Sequence, residues 1–259
     1  NQPSKRNFAR GADTFIGSSP TVLNHAVPRL FIQDQSDRKE YPVMLSTTPF
    51  EVPPYLLEFA KGNPPVRMAV AGADNAVALE SAKQATDAGL IEPVLVGDSS
   101  TIKSLAETLS WDISNIEIIN TAGDDSASAA AVKLAHDGDA TALMKGHVHT
   151  DALMKAVVNK QTGLRIGRRL SHIFHMTIPG RDRVLMITDG AVNVAPDEET
   201  LMHITRNAVD LAHALGNTEP KVALLSGTES VIASMPSSVT AAEVVKRAKS
   251  GEVEGAHVE

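Results

Sequence analysis

The sequence contains no cysteine. A disulfide framework, a thiolate zinc site and a cysteine nucleophile are therefore excluded, and the absence fits a reducing compartment, so the expected location is cytoplasmic. Aromatic residues are scarce at 3%, so the core must be built on Ala, Val, Leu and Ile rather than on rings. Positive charge is not in excess either: 24 Lys and Arg stand against 31 Asp and Glu, for a net charge of −7. A basic surface large enough to neutralise a nucleic-acid backbone is not expected, although a local anion pocket stays open. No run reaches the ~18 apolar residues of a membrane span, and no charged segment followed by an apolar stretch opens the chain, so no membrane partner is expected. Three motifs are also missing. No Gly-x-Gly-x-x-Gly follows the first apolar run, where Ala71-Gly72-Ala73-Asp74 stands instead, and there is neither a Gly-Lys-Ser/Thr phosphate loop nor a Gly-x-Ser-x-Gly elbow. Typical dinucleotide oxidoreductases, nucleotide hydrolases and serine hydrolases lose support accordingly.

What is present is a chain of 259 residues, 42% hydrophobic and 21% charged, long enough for one large domain or two lobes. Residues 1–64 are rich in Pro, Ser, Asp and Arg without sustained periodicity, and read as a mostly irregular extension with one short helix near Leu56–Lys61. From Pro65 onward, short β-branched apolar runs alternate with longer amphipathic ones, the signature of parallel α/β units. The strands expected are Val66–Ala71, Pro93–Val96, Ile116–Ile119, Ala142–Lys145, Leu170–Met176, Val184–Thr188 and Lys221–Leu225, each apolar enough to be covered on both faces. Helices are expected over Asn75–Gly89, Thr101–Leu109, Ser126–His136, Asp151–Asn159, Pro196–Leu215 and Thr240–Lys249. The last is predicted to start at Thr240, which with Glu243 makes a capping box.

Four segments could carry chemistry. Leu143-Met144-Lys145-Gly146-His147-Val148-His149-Thr150-Asp151 runs off a strand, across a glycine and into a helix, where backbone N–H groups at a strand's carboxyl end can meet an anion. Lys145 and the amides near Thr150 and Asp151 could cradle a phosphate; alternatively Gly146 serves a tight turn, Thr150 caps the helix and Lys145 is solvated. His147 and His149 could share an ion, but the further ligands available, Asp151, His172 and His175, have no recognised metal spacing, and no metal is expected. The tract Lys160 to His172 concentrates cations, among them Arg165 and Arg168, in an acidic chain, and suits a phosphorylated ligand or is simply a solvated loop. Beyond the strand Val184–Thr188, Asp189 and Asn193 can bind a ligand or tie their loop together, while Asp197, Glu198 and Glu199 answer the positive end of the following helix and make it a poor anion site.

Taken in order, Val70-Ala71-Gly72-Ala73-Asp74, Pro93-Val94-Leu95-Val96-Gly97-Asp98, the Lys145 to Thr150 turn, Thr162 to His172, Ile187 to Pro196, Glu219 to Ser226 and Met235-Pro236-Ser237-Ser238 resemble the phosphate acetyl/butyryltransferases. That resemblance implies a two-lobed α/β/α fold with a largely parallel sheet, similar to the isocitrate/isopropylmalate dehydrogenase-like architecture, with lobes at 65–167 and 168–259. It further implies transfer of an acetyl or butyryl group between coenzyme A and inorganic phosphate in a homodimer. Coenzyme A enters as a substrate and no tightly bound cofactor is expected. Lys145, Gly146, His147, Thr150, Lys155, Arg165 and Arg168 are then candidates for the phosphate or coenzyme A, and Asp189 and Asn193 for shaping the cleft. Lys155 stands where acetyl-specific relatives carry arginine. The family's Ser-Arg pair and thiol-activating aspartate have no counterpart up to Glu259, so no catalytic residue is named. The first lobe is expected to lack its C-terminal completion, and these residues alone to turn over poorly. Two other readings are weighed: a metal- and NAD(P)-dependent dehydrogenase of similar architecture, and a non-catalytic binding module.

Overall fold

The computed structural model describes residues 52–177, 184–190 and 192–259. Of the two units into which the chain divides, Asn1–Phe50 and Glu51–Glu259, all of these belong to the second. Most of the expected N-terminal extension therefore lies outside the described residues.

Strands β1 (Val66–Ala71), β2 (Ile91–Gly97), β3 (Glu117–Asn120) and β4 (Ala142–Lys145) form a parallel sheet in the order β3-β2-β1-β4. Successive side chains of a strand face opposite ways, and this alternation sets the layers. Ala69, Ala71, Val94 and Val96 look to one face, where they pack with Ala127 and Ala131 of α4 (Asp124–Asp137) and Leu153 of α5 (Thr150–Val157). Val70 and Leu95 look to the other, against Leu79 and Ala82 of α2 (Ala76–Asp87) and Ile102 and Ala106 of α3 (Ser99–Thr108). The result is a mixed α/β fold around a parallel central sheet with helices on both sides.

Each helix on the second face starts where its sequence offers a cap. The Asn75 side chain accepts hydrogen bonds from the backbone N–H groups of Val77 and Ala78, and Asp98 does the same for Thr101. Hydroxyls of Ser100 and Thr101, with the Thr101 amide, hold the Asp98 carboxyl down at about 2. Replacing Asn75 by Ala leaves two helix-end donors unanswered and is expected to cost about 1 kcal/mol in urea-unfolding midpoint measurements. An unchanged midpoint would mean that water caps α2 as well as Asn75 does.

The C-terminal elements build a separate core. Met202 and Val209 of α6 (Glu198–Ala214) and Val244 of α7 (Pro236–Arg247) pack with Val253 and with Val258 of β8 (His257–Val258). β8 pairs in parallel with β7 (Lys221–Val222). A π-helical turn, Ala248–Glu252, follows α7. The expected start of that last helix is corrected: it begins at Pro236, a proline suited to a first turn, and Thr240 lies inside it.

The reading of Leu170–Met176 and Val184–Thr188 as strands buried on both faces is also corrected. They form an antiparallel pair, β5 (Ile173–Thr177) with β6 (Val184–Thr188). On one face of the pair, Phe174, Met176, Leu185 and Ile187 are 43% to 52% exposed. Apolar composition alone does not tell a doubly covered strand from one with an open face. The short helix expected near Leu56–Lys61 is present as α1 (Pro54–Lys61), ahead of the sheet. Among the described residues no helix is long and apolar enough to cross a membrane.

Candidate functional site

The strand order reverses at β1, which has β2 on one side and β4 on the other. In open α/β sheets the crevice beyond the carboxyl ends at such a reversal is where ligands collect. β1 leaves through Gly72-Ala73-Asp74, and β4 through Gly146-His147-Val148. The two turns are laced together: Gly146 N–H donates to Ala71 O at 2.8 Å, and His147 N–H to Gly72 O at 2.9 Å. A Cβ at Gly146 would stand 2.5 Å from Gly72 O and 2.7 Å from Ala71 O, so glycine is demanded by backbone approach.

Beside these turns lies a cleft of about 110 Å³, lined by Gly72, Asp74, Gly97, Thr121, Asp124 and His147 among others. Asp74 accepts the Asp98 N–H at 3.2 Å. The Thr121 hydroxyl is buried with no partner among the described residues.

At the rim, Asp124, the first residue of α4, meets His149 just ahead of α5. One carboxylate oxygen, Oδ2, takes both the His149 backbone N–H at 2.8 Å and the ring Nδ1 at 2.5 Å. The hydrogen bond from His149 holds the Asp124 carboxyl below the usual carboxylate range, and the same bond, aided by the charge of Asp124, lifts the His149 imidazole above its ordinary value. The ring side chain is 85% exposed, which leaves Nε2 at the surface. Sequence reading passed over this pair, since Asp124 and His149 are 25 positions apart. The usable signal was Gly123-Asp124-Asp125 opening a helix after β3, which puts a carboxylate at the same sheet edge as the turn after β4.

The residues singled out in the sequence fall into two groups. Lys145, Gly146, His147 and Thr150 share the β4–α5 turn, with Lys145, His147 and Thr150 exposed. Thr150 is the first residue of α5, and His149 takes the cap position without a side-chain capping bond. Lys155 lies in the last turn of α5, 3.9 Å from Asp125. The second group surrounds α6. Arg168 Nη1 sits 2.5 Å from Asp210 and 3.3 Å from the Asn207 side-chain oxygen. Asp189 holds a φ of 52°, in the left-handed region that aspartate tolerates. Its Oδ2 accepts the Asn193 N–H at 3.0 Å and the Asn193 side-chain amide at 2.7 Å. That amide also donates to Leu170 O at 2.9 Å, so the pair ties its loop. Arg165 is exposed and makes no side-chain hydrogen bond among the described residues. No hydrogen bond or ion pair among the described residues joins the two groups. At the start of α6, Asp197 caps Thr200, and Glu198 and Glu199 reach Arg247 at 2.8 and 2.5 Å, which leaves that helix end already answered.

Residues 124–258, just over half of the chain, match the family model described as phosphate acetyl/butaryl transferase. The chain belongs to that family. The matched span opens on Asp124 and takes in the whole β4–α5 turn. A Rhizobium meliloti phosphate acetyltransferase is 40% identical over 204 residues, covering 79% of this chain and 65% of the relative. A Clostridium beijerinckii phosphate butyryltransferase is 38% identical over 200 residues, covering 77% of this chain and 66% of the relative. The chain thus spans slightly less than two thirds of the length of these family members. Among solved structures, a branched-chain phosphotransacylase from Enterococcus faecalis superposes with a TM-score of 0.58 at 27% identity, covering 74% of this chain and 66% of that one. A Streptococcus pyogenes phosphotransacetylase reaches 0.69 at 16% identity, covering 81% of this chain and 72% of that one, and shares the fold.

Proposed function

We propose that this chain carries the phosphate- and coenzyme A-binding part of an acyltransferase that interconverts acyl-coenzyme A plus phosphate with acyl phosphate plus coenzyme A. The observation that carries the reading is the family match over residues 124–258, which includes the β4–α5 turn with its exposed Lys145, His147 and Thr150. Both substrates are multiply anionic, so Lys145, Lys155, Arg165 and Arg168 suit their phosphates. Gly146 lets the backbone approach closely, while His147 and Thr150 contribute donors at the same turn. Asp189 and Asn193 fix the loop after β6 and so the shape of the wall they belong to.

In such a transfer the coenzyme A thiolate attacks the acyl carbonyl carbon, the bond from that carbon to the phosphate oxygen breaks, and phosphate departs. Negative charge grows on the carbonyl oxygen and on the leaving group, so donors fixed in advance contribute most to the rate. Coenzyme A acts as a substrate, and no tightly bound cofactor enters the reading. We further assign lobes to 65–167 and 168–259, an assignment supported by the separate core of α6, α7 and β8. A homodimer is supported by the uncovered apolar face of the β5–β6 pair, and a cytoplasmic location by the absence of cysteine.

Titration calorimetry with coenzyme A tests the reading. Binding is expected, and Lys145→Ala is expected to weaken it by about tenfold through loss of a charge-assisted contact. No heat with coenzyme A, together with saturable binding of a nicotinamide cofactor and magnesium, would move the protein to the dehydrogenase alternative.

A further inference from the structure

We propose that His149, oriented by Asp124, is an anion-binding group that receives a phosphate of the substrate at the rim of the β1–β4 cleft, with Asp124 acting as its positioning residue. The inference rests on the acyltransferase reading for the identity of the anion, but the site itself is argued from geometry. Oδ2 of Asp124 takes the His149 backbone amide and ring Nδ1 together, at 2.8 and 2.5 Å. Two bonds to one oxygen fix both where the residue sits and which way its ring turns. With Nδ1 engaged, the outward nitrogen is Nε2, and an imidazolium presents it as a donor.

Charge placement around the ring supports the same role. The groups facing it are Asp124 from α4, Asp151 from α5 and Lys145 from the end of β4, while His147 faces Asp124 from the same turn. The two carboxylates favour the protonated ring and Lys145 opposes it. Asp124 is the closest of these, and its hydrogen bond to the ring dominates. Nearby, Lys155 and Asp125 stand 3.9 Å apart across the same two helices. Asp74 and Asp124 both line the cleft, and their carboxylates repel a phosphate dianion from its interior. An anion is therefore directed to the outer side, between the His149 ring and Lys145.

The test uses the whole chain and two probes. Sulfate keeps its charge across the titration range of histidine, so its pH profile reports the site rather than the ligand; inorganic phosphate is the substrate-like anion. By calorimetry, wild type is expected to hold sulfate about tenfold more tightly near pH 6 than near pH 8.5, because the charge-assisted bond is lost as the ring deprotonates. The sign follows from the raised value of His149: binding is full below its titration and falls as pH rises through it. His149→Gln is expected to abolish the pH dependence and to weaken both anions about tenfold at the lower pH. Asp124→Asn is expected to move the midpoint of the profile to lower pH, a change that a merely structural role would not produce.

If either variant fails to fold, the ring-proton resonance of wild-type His149 decides: it must shift when sulfate is added. Anion binding that is independent of pH in wild type, unaltered affinity in His149→Gln, or a stationary resonance overturns the inference. Coenzyme A is titrated separately. If it binds and the His149 effects are absent, the acyltransferase reading survives and this site falls. If sulfate and phosphate behave as expected and coenzyme A does not bind, the site stands and that reading falls.

Discussion

Gly146→Ala is expected to lower stability by about 3 kcal/mol, near the top of the range for forced overpacking. The added methyl would lie 2.5 Å from Gly72 O and 2.7 Å from Ala71 O, both backbone atoms that cannot rotate aside. To make room, β1 and β4 must part, and the hydrogen bonds from Gly146 and His147 that lace their turns must lengthen. For a domain of about 200 residues the melting temperature should fall by roughly 6 to 12 °C, and coenzyme A binding should weaken with it. Gly62→Ala is the control, since its Cβ would meet only Phe59 O at an ordinary 3.8 Å. Equal melting curves for Gly146→Ala and wild type would show that the two turns yield without strain, and would remove the reason given for a glycine there.

Leu95→Ala is expected to destabilise by about 2 to 5 kcal/mol, the range for truncating a buried leucine in a core that cannot collapse around the void. Leu95 lies in β2 with no exposed surface, and shares its cluster with Val70, Leu79 and Ile102. Since β2 is flanked by β1 and β3, the sheet cannot shift toward the void without disturbing pairing on both sides. Denaturant unfolding monitored by circular dichroism gives the value. A loss under 1 kcal/mol would mean that α2 and α3 can close over the gap.

How legible all this was in the sequence varied with the kind of signal. β1, β4 and β6 matched their apolar runs residue for residue, because short runs bounded by glycine or charged residues have sharp ends. β2 extended to Ile91–Gly97 because parallel pairing with Val66 draws Ile91 into the ladder, a partner that a local pattern does not name. α7 was placed four residues late because the Thr240–Glu243 spacing mimics a cap within a helix that Pro236 had already begun. For the site, the turn holding Lys145, Gly146, His147 and Thr150 was evident as strand, glycine and helix in succession. Arg168 was not separable from it by composition, and only packing against α6 shows that Asp210 and Asn207 hold it. The Asp124–His149 pair was harder to read, because α4 and β4 lie between its members and the helix start at Gly123-Asp124-Asp125 places the carboxylate at the sheet edge without naming its partner.

The position of β4 at the margin of its sheet also bears on the order in which the molecule assembles. Joining β4 to β1 closes a long loop, with Thr141 hydrogen-bonded to a residue 74 positions earlier, Arg67, whereas β1 and β2 are linked through a single helix. Closing the longer loop carries the larger entropy cost, and contacts distant in sequence slow a folding reaction. A refolding chain would then gain its helices and its first strand pair before β4 docks, and the rim that brings Asp124 to His149 would be among the last features to mature.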